Sequence, residues 1–151
     1  MPERILAIDF GLKRMGLAIS DPLAITAQGL ATLERTRLED DLRHIVRLVA
    51  EHGAGRVLLG HPLSRAGAET AMSRQVAAFA EKLRRHVACP VELWDERLTS
   101  AEAGRLLRAS GMGIEKRRRA MDRVAATLLL QSYLDYQANE AARRQVSGGE
   151  P

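Results

Sequence analysis

The stretch Ile5-Leu6-Ala7-Ile8-Asp9-Phe10-Gly11-Leu12-Lys13-Arg14-Met15-Gly16 carries one carboxylate out of an apolar run and into a turn bounded by glycines. Ile5 to Ile8 are continuously apolar and include β-branched residues, the pattern of a strand buried on both faces. Desolvating a carboxylate costs several kcal/mol unless a cation or hydrogen-bond donors compensate, so an aspartate ending such a strand implies a partner. Gly11 and Gly16 let the backbone turn tightly and return as Leu17-Ala18-Ile19-Ser20. The result is a hairpin with Lys13 and Arg14 at its tip. The plainer alternative is an aspartate that only hydrogen-bonds its own turn.

Working outward, 151 residues are enough for one domain with a single core, read here as 1–145 with a disordered tail over 146–151. A single cysteine, Cys89, excludes an intramolecular disulfide framework and fits a reducing compartment. Its place before Pro90, beside an expected strand, reads as a small buried hydrophobe. No apolar run approaches the roughly 20 residues that span a bilayer, and no signal-peptide pattern precedes the first strand, so a cytoplasmic protein with no membrane partner is expected. The net charge of +4 makes polyanions plausible partners, while an aromatic content of 3% is too small for a row of base-stacking platforms. Nucleic-acid binding would then rest on phosphate contacts and shape.

Asp21-Pro22 marks a turn, and Ile25 to Leu33 suits a third strand that completes an antiparallel meander. Thr36 with Glu39 reads as a capping box that opens a helix whose buried stripe is Leu38, Leu42, Ile45 and Val49. Gly53 and Gly55 end it, and the apolar strand Arg56 to Gly60 implies a parallel crossover. A polar loop over His61 to Ala68 leads to a second helix with Met72, Val76, Phe79 and Leu83 inward. Val91 to Glu96 is a fifth strand, and Thr99 with Glu102 is a second capping box, opening a helix that stops near Gly111. The run Lys116-Arg117-Arg118-Arg119 precedes a last helix expected over Met121 to Ala142, with Ala125, Leu128, Leu129, Ser132 and Tyr136 inward.

Ligands gather at the carboxyl ends of parallel strands in such sheets, where Asp9 and the Asp95-Glu96 pair both fall. Side chains alternate along a strand, so Asp95 and Glu96 cannot both face Asp9. Asp122, opening the last helix, is a third acid. Three carboxylates drawn together repel one another unless a hard divalent cation holds them ionised; magnesium or manganese fits, and soft metals do not. The basic run opposes the helix macrodipole, a penalty that a bound phosphate backbone would turn into attraction; the alternative is a solvated charge run.

Asp9-x-Gly11-x-x-Arg14-x-Gly16-x-Ala18, Gly60-x-Pro62 with Gly67, Asp95-Glu96-Arg97-Leu98-Thr99-Ser100, and Asp122-x-x-Ala125-Ala126 followed by Leu130-Gln131-Ser132-Tyr133-Leu134 together resemble the YqgF family, also called RuvX. The resemblance covers nearly the whole chain in order. It implies an α/β, RNase H-like fold: a five-stranded mixed sheet, its first three strands antiparallel, with helices on both faces. It also implies a nuclease that matures the 5′ end of pre-16S ribosomal RNA in ribosome biogenesis, or acts on four-way DNA junctions as the RuvC resolvases do. Asp9, Glu96 and Asp122 fall on the family's catalytic, metal-binding acids, which would hold two magnesium or manganese ions about 3.5–4 Å apart for in-line hydrolysis of a phosphodiester. Lys13, Arg14, Arg97, Lys116, Arg117, Arg118 and Arg119 would hold the nucleic-acid backbone. Two positions depart from the pattern: Gly60-His61-Pro62 lacks the acid that resolvase relatives carry, leaving Glu96 to substitute, and Ala68 stands where a hydroxyl residue is expected.

Two other classes fit parts of the chain. The first hairpin of actin-type and sugar-kinase ATPases also carries Asp-x-Gly, but those enzymes close two domains over a nucleotide and this chain has length for one. A nucleic-acid-binding ribosome-assembly factor with structural acids is the third reading, one that brings ribosome-associated partners. A junction-resolving role would require a homodimer, because the substrate needs two symmetry-related active sites.

Overall fold

The computed structural model describes residues 3–95 and 113–148, and of 114–122 and 147–148 the backbone alone. Its elements are β1 (Arg4–Phe10), β2 (Arg14–Ser20), β3 (Ala27–Glu34), α1 (Leu38–His52), β4 (Ala54–His61), α2 (Ala71–Arg84), β5 (Val91–Asp95) and α3 (Ile114–Gly148). One five-stranded sheet runs in the order β3-β2-β1-β4-β5. The first three strands pair antiparallel, and β1–β4 and β4–β5 are parallel, as the hairpin and the helix crossovers require. The expected mixed sheet is present. The helix expected over 99–111 lies outside the described residues.

Strand alternation divides the core in two. Leu6 and Ile8 of β1 join Leu42 and Ile45 of α1 and Val76, Phe79 and Leu83 of α2 on one face. Ile5 and Ala7 join Ala18, Leu58 and the α3 residues Ala126, Leu129, Leu130 and Tyr133 on the other. Helices therefore cover both faces. Cys89 packs half-buried beside the first cluster, where burial pushes its thiol pKa up, in keeping with a small apolar residue.

Three local expectations are corrected. The third strand begins at Ala27, not Ile25, because the Asp21 carboxylate takes the backbone N–H groups of Leu23 (3.1 Å), Ile25 (2.7 Å) and Thr26 (2.7 Å) into a loop. Those backbone donors, Thr26 first, hold the Asp21 pKa low. The N-cap of α1 is Arg37, without a side-chain cap, and Thr36 instead donates its N–H to Asp41 Oδ1 at 3.1 Å. A capping box forms at Thr70 and Ser73, where Thr70 Oγ1 accepts from Ser73 N at 3.0 Å.

The third correction concerns α3, which starts at Ile114 rather than Met121 and runs to Gly148 rather than Ala142. Lysine and arginine are good helix formers and nothing after Gly113 breaks the run, so Lys116 to Arg119 lie within the first two turns. The inward stripe is Ala126, Leu129, Leu130, Tyr133 and Leu134; Tyr136 is 51% exposed. Apolar residues occupy a wide arc of this helix, and the sheet selects which of them it buries. Small Ala126 meets small Ala7 and Ala18. The Tyr133 hydroxyl donates to Glu92 Oε2 at 2.6 Å on β5, and the Gln131 amide bonds the backbone at Ala27 N (3.1 Å) and Ile25 O (3.0 Å).

These contacts also fix the direction of α3. The Arg123 methylenes occupy the space above Gly29, where an added Cβ would stand 2.7 Å from Cγ. Gly29 is level with Ala18 and Ala7. Gln131, eight residues later, reaches Ala27, which is level with Ser20 near the start of β1. The helix therefore runs antiparallel to β1, so its N-terminal half lies toward the Asp9 end.

Candidate functional site

Asp9 is the penultimate residue of β1, half-buried, with the parity of Ile5 and Ala7 and hence on the α3 face. It pairs with Gly16 on β2. On the other side it lies one residue beyond the Ile8–Leu59 pair, level with Gly60 of β4, which is in turn paired with Trp94 of β5. The row across the sheet thus reads Gly16, Asp9, Gly60, Trp94. Both positions level with Asp9 on the adjacent strands are glycines. A carboxylate at a parallel strand's carboxyl end, with glycines as its row neighbours, is a hard oxygen donor at the place where such sheets gather ligands.

The turn after Asp9 is tightly built. An added Cβ on Gly11 would lie 2.4 Å from the Arg14 backbone oxygen, so this position admits glycine alone without backbone movement. Arg35, just past β3, holds the turn: its N–H donates to Lys13 O (2.9 Å) and its Nη1 to Gly11 O (3.1 Å). Its guanidinium lies 4.6 Å from the centroid of the Phe10 ring, and its Nε donates to Asp41 Oδ2 at 3.1 Å. Asp41 is only 1% exposed. The sequence reading missed both residues. Its signal was an acid in the first turn of α1 six residues after an arginine, a spacing that a cap explains equally well from sequence alone.

The other expected site residues fall as follows. Lys13 is exposed at the turn and Arg14 opens β2 half-buried, so the two expected tip cations do flank the Asp9 end. Asp95 has the parity of Val91 and Leu93, which pack on the α1–α2 side, and so sits on the face away from Asp9. Glu96 and Arg97 lie outside the described residues. Asp122 stands in α3 one turn before Ala126, and Lys116 to Arg119 one to two turns earlier still; of their side chains the structure describes none. Among the described residues no group of three metal-ligating side chains comes together.

A second polar cluster occupies the opposite end of the sheet. Arg56 Nε donates to Glu3 Oε1 and its Nη1 to Glu92 Oε2, each at 2.9 Å, and Glu92 also accepts from Tyr133. Gln137 Nε2 donates to the Tyr133 hydroxyl at 2.8 Å. Burial, then the bond to Glu92, push the Tyr133 pKa up to about 12. Every group here answers another, which is the chemistry of a fastening that ties α3 to β4 and β5.

With this geometry in hand, comparison with known proteins is decisive. Residues 3–136 match the model of the family described as RuvX: Holliday junction resolvase. The chain belongs to the RuvX family. Among curated relatives of this RuvX chain, one from Koribacter versatilis is 44% identical over 148 residues, covering 98% of the chain and 92% of the relative. One from Moorella thermoacetica is 42% identical over 132 residues, covering 87% and 94%. Both carry the name "Putative pre-16S rRNA nuclease". Among solved structures, T. thermophilus RuvC in complex with a Holliday junction substrate superposes with a TM-score of 0.59 at 12% identity, covering 91% of this chain and 97% of that one. The likeness shows that the RuvX chain has a RuvC-like, RNase H-like fold. Among the described residues no helix is long and apolar enough to cross a membrane.

Proposed function

We propose that the chain is a metal-dependent endonuclease that hydrolyses phosphodiester bonds in structured RNA, and that its substrate is the 5′ region of pre-16S ribosomal RNA. The observation that carries the reading is the row Gly16, Asp9, Gly60, Trp94: a carboxylate at a parallel strand end whose row neighbours on both adjacent strands are glycines. The names of the curated relatives supply the substrate. Asp122 precedes Ala126 by one turn, in the half of α3 that lies toward the Asp9 end, which supports it as a companion of Asp9, and the family resemblance supports Glu96 as the third acid.

Asp9, Glu96 and Asp122 would hold magnesium or manganese, hard ions suited to carboxylate oxygens. When bound, such ions activate a water and stabilise the leaving oxygen. The chain's own part is to place the carboxylates and to hold the substrate. Lys13 and Arg14 at the turn, Arg97, and Lys116 to Arg119 would bind phosphates and fix the register of the backbone. The lone cysteine fits action in a reducing cytoplasm.

The test is cleavage of an end-labelled pre-16S leader RNA with Mg²⁺ or Mn²⁺ by the parent chain and by Asp9→Asn, which preserves shape and removes the charge. A loss of about 100-fold or more, with thermal stability retained, is expected. Equal cleavage by the two proteins would sink the proposal. A labelled four-way DNA junction belongs in the same assay, because the family's description names that substrate. Preferential junction cleavage, with dimers in sedimentation, would move the substrate to DNA.

A further inference from the structure

We infer that Arg35, held by Asp41, is a positioning residue that sets the Gly11–Lys13 turn and through it the Asp9 carboxylate. The inference rests on the nuclease reading above. Carbonyls at both ends of the turn accept from this one residue: Gly11 O from Nη1 at 3.1 Å and Lys13 O from the backbone N–H at 2.9 Å. The same guanidinium covers the Phe10 ring at 4.6 Å, so it touches the residue next to Asp9 as well as the turn beyond it. Phe10 is itself fixed from below by the Phe79 ring, with centroids 5.2 Å apart. The tip is otherwise exposed, with Leu12 at 63%, and a surface hairpin end of this kind belongs to the readily opened parts of a fold.

The ion pair is an expensive way to secure a turn if stability were all it served. Asp41 is 1% exposed and the Arg35 side chain 17% exposed, and apolar residues of similar volume often stabilise as well as a buried pair does. What an apolar pair cannot supply is direction. The planar guanidinium donates along fixed lines to a carboxylate and to a backbone carbonyl while stacking on a ring, and so it dictates where the turn sits relative to α1. Asp41 is anchored in turn, since its Oδ1 accepts the Thr36 N–H at 3.1 Å at the start of α1. Asp9 lies two residues before Gly11, close enough that a shifted turn re-aims the carboxylate, and misplacement of about 1 Å can cost about 100-fold in rate.

The experiment compares the parent with Arg35→Lys, which keeps the charge but loses the fork, and with Val76→Ala, which loosens the same core on α2 without touching the turn. Amide hydrogen exchange of the metal-free protein is read beside cleavage of the leader RNA. In Arg35→Lys the amides of Gly11 to Arg14 should exchange at least about tenfold faster while those of Leu6 to Ile8 keep parental rates. In the same variant kcat should fall about 10- to 100-fold with KM unchanged, and Val76→Ala should keep kcat. Asp41→Asn, a milder change should the first fail to fold, should give the same pattern at smaller amplitude. The inference is overturned if kcat stays within threefold of the parent, if the turn amides keep parental rates, or if Val76→Ala loses as much. A parent that cleaves no better than Asp9→Asn defeats the nuclease reading and takes the positioning role with it, an outcome distinct from loss of the inference alone.

Discussion

The two ends of the parallel strands use charge in opposite ways. At the amino end, Glu3, Arg56, Glu92 and Tyr133 form a closed set in which each group answers a neighbour, and Arg4 adds bonds from Nε to Ser20 O at 3.0 Å and from Nη1 to His52 O at 3.2 Å. At the carboxyl end, Asp9 stands between two strands that contribute glycine to its row, while the organised ion pair, Arg35 with Asp41, lies beyond the turn and on the other side of the sheet. One end spends its polar groups on closing the fold. The other places a half-buried carboxylate at a strand end and organises an ion pair around the turn beyond it. Bonds that satisfy one another make a fastening, and a functional group needs a rigid frame that fixes its position.

The contrast can be broken most forcefully at Asp41. Asp41→Ala strands the Arg35 guanidinium and the Thr36 N–H, and should lower stability by about 3 kcal/mol, read as a shift in the denaturation midpoint with an unchanged slope. A change below about 1 kcal/mol would mean that water already shares that site. At the opposite end Tyr133→Phe should cost less, about 1 kcal/mol, since it removes one hydroxyl bonded to Glu92 and Gln137. It should leave cleavage untouched, and a lost activity would erase the distinction between the two ends.

Tyr133 also makes the amino-end fastening sensitive to alkali. Its pKa is raised from 10.0 to about 12, so the neutral phenol is the form that the fold favours. The contribution is therefore complete below pH 10 and lost as pH rises through about 12. Phenolate absorbance should show a late-titrating component that Tyr133→Phe removes, with stability of the parent declining over the same window. The smallest expected effect is a gain: Ala24, in the loop held by Asp21, has φ of 55°, and Ala24→Gly should stabilise by up to about 1 kcal/mol in thermal unfolding. A loss there would show that the Ala24 methyl's packing near α3 outweighs the strain.

Much of this arrangement was legible in the chain. Ile5 to Ile8 followed by Asp9 and a glycine turn named the central hairpin, because buried strands and tight turns have local signatures. The stripes of α1 and α2 followed helical period for the same reason. The capping of α1 was not legible, since Asp41 serves Arg35 and Thr36 rather than a helix end, and only the approach of α1 to the turn after Asp9 decides that. The face of α3 was misread by one position, because its apolar arc is wider than the strip that the sheet covers.

By itself, then, the sequence determined what short-range chemistry controls: the hairpin, the order of strands and helices, and Asp9 as the residue that a buried strand would not end on without purpose. The tertiary structure decided what depends on neighbours far apart in the chain. It set Gly16 and Gly60 on either side of Asp9, turned Asp95 to the opposite face, laid the N-terminal half of α3 toward the Asp9 end, and brought Arg35 onto the turn. The physical reason is the same in each case. Backbone propensity and periodicity act over a few residues, whereas register across a sheet and the choice of a buried face are settled by packing, in which every element is the other's environment.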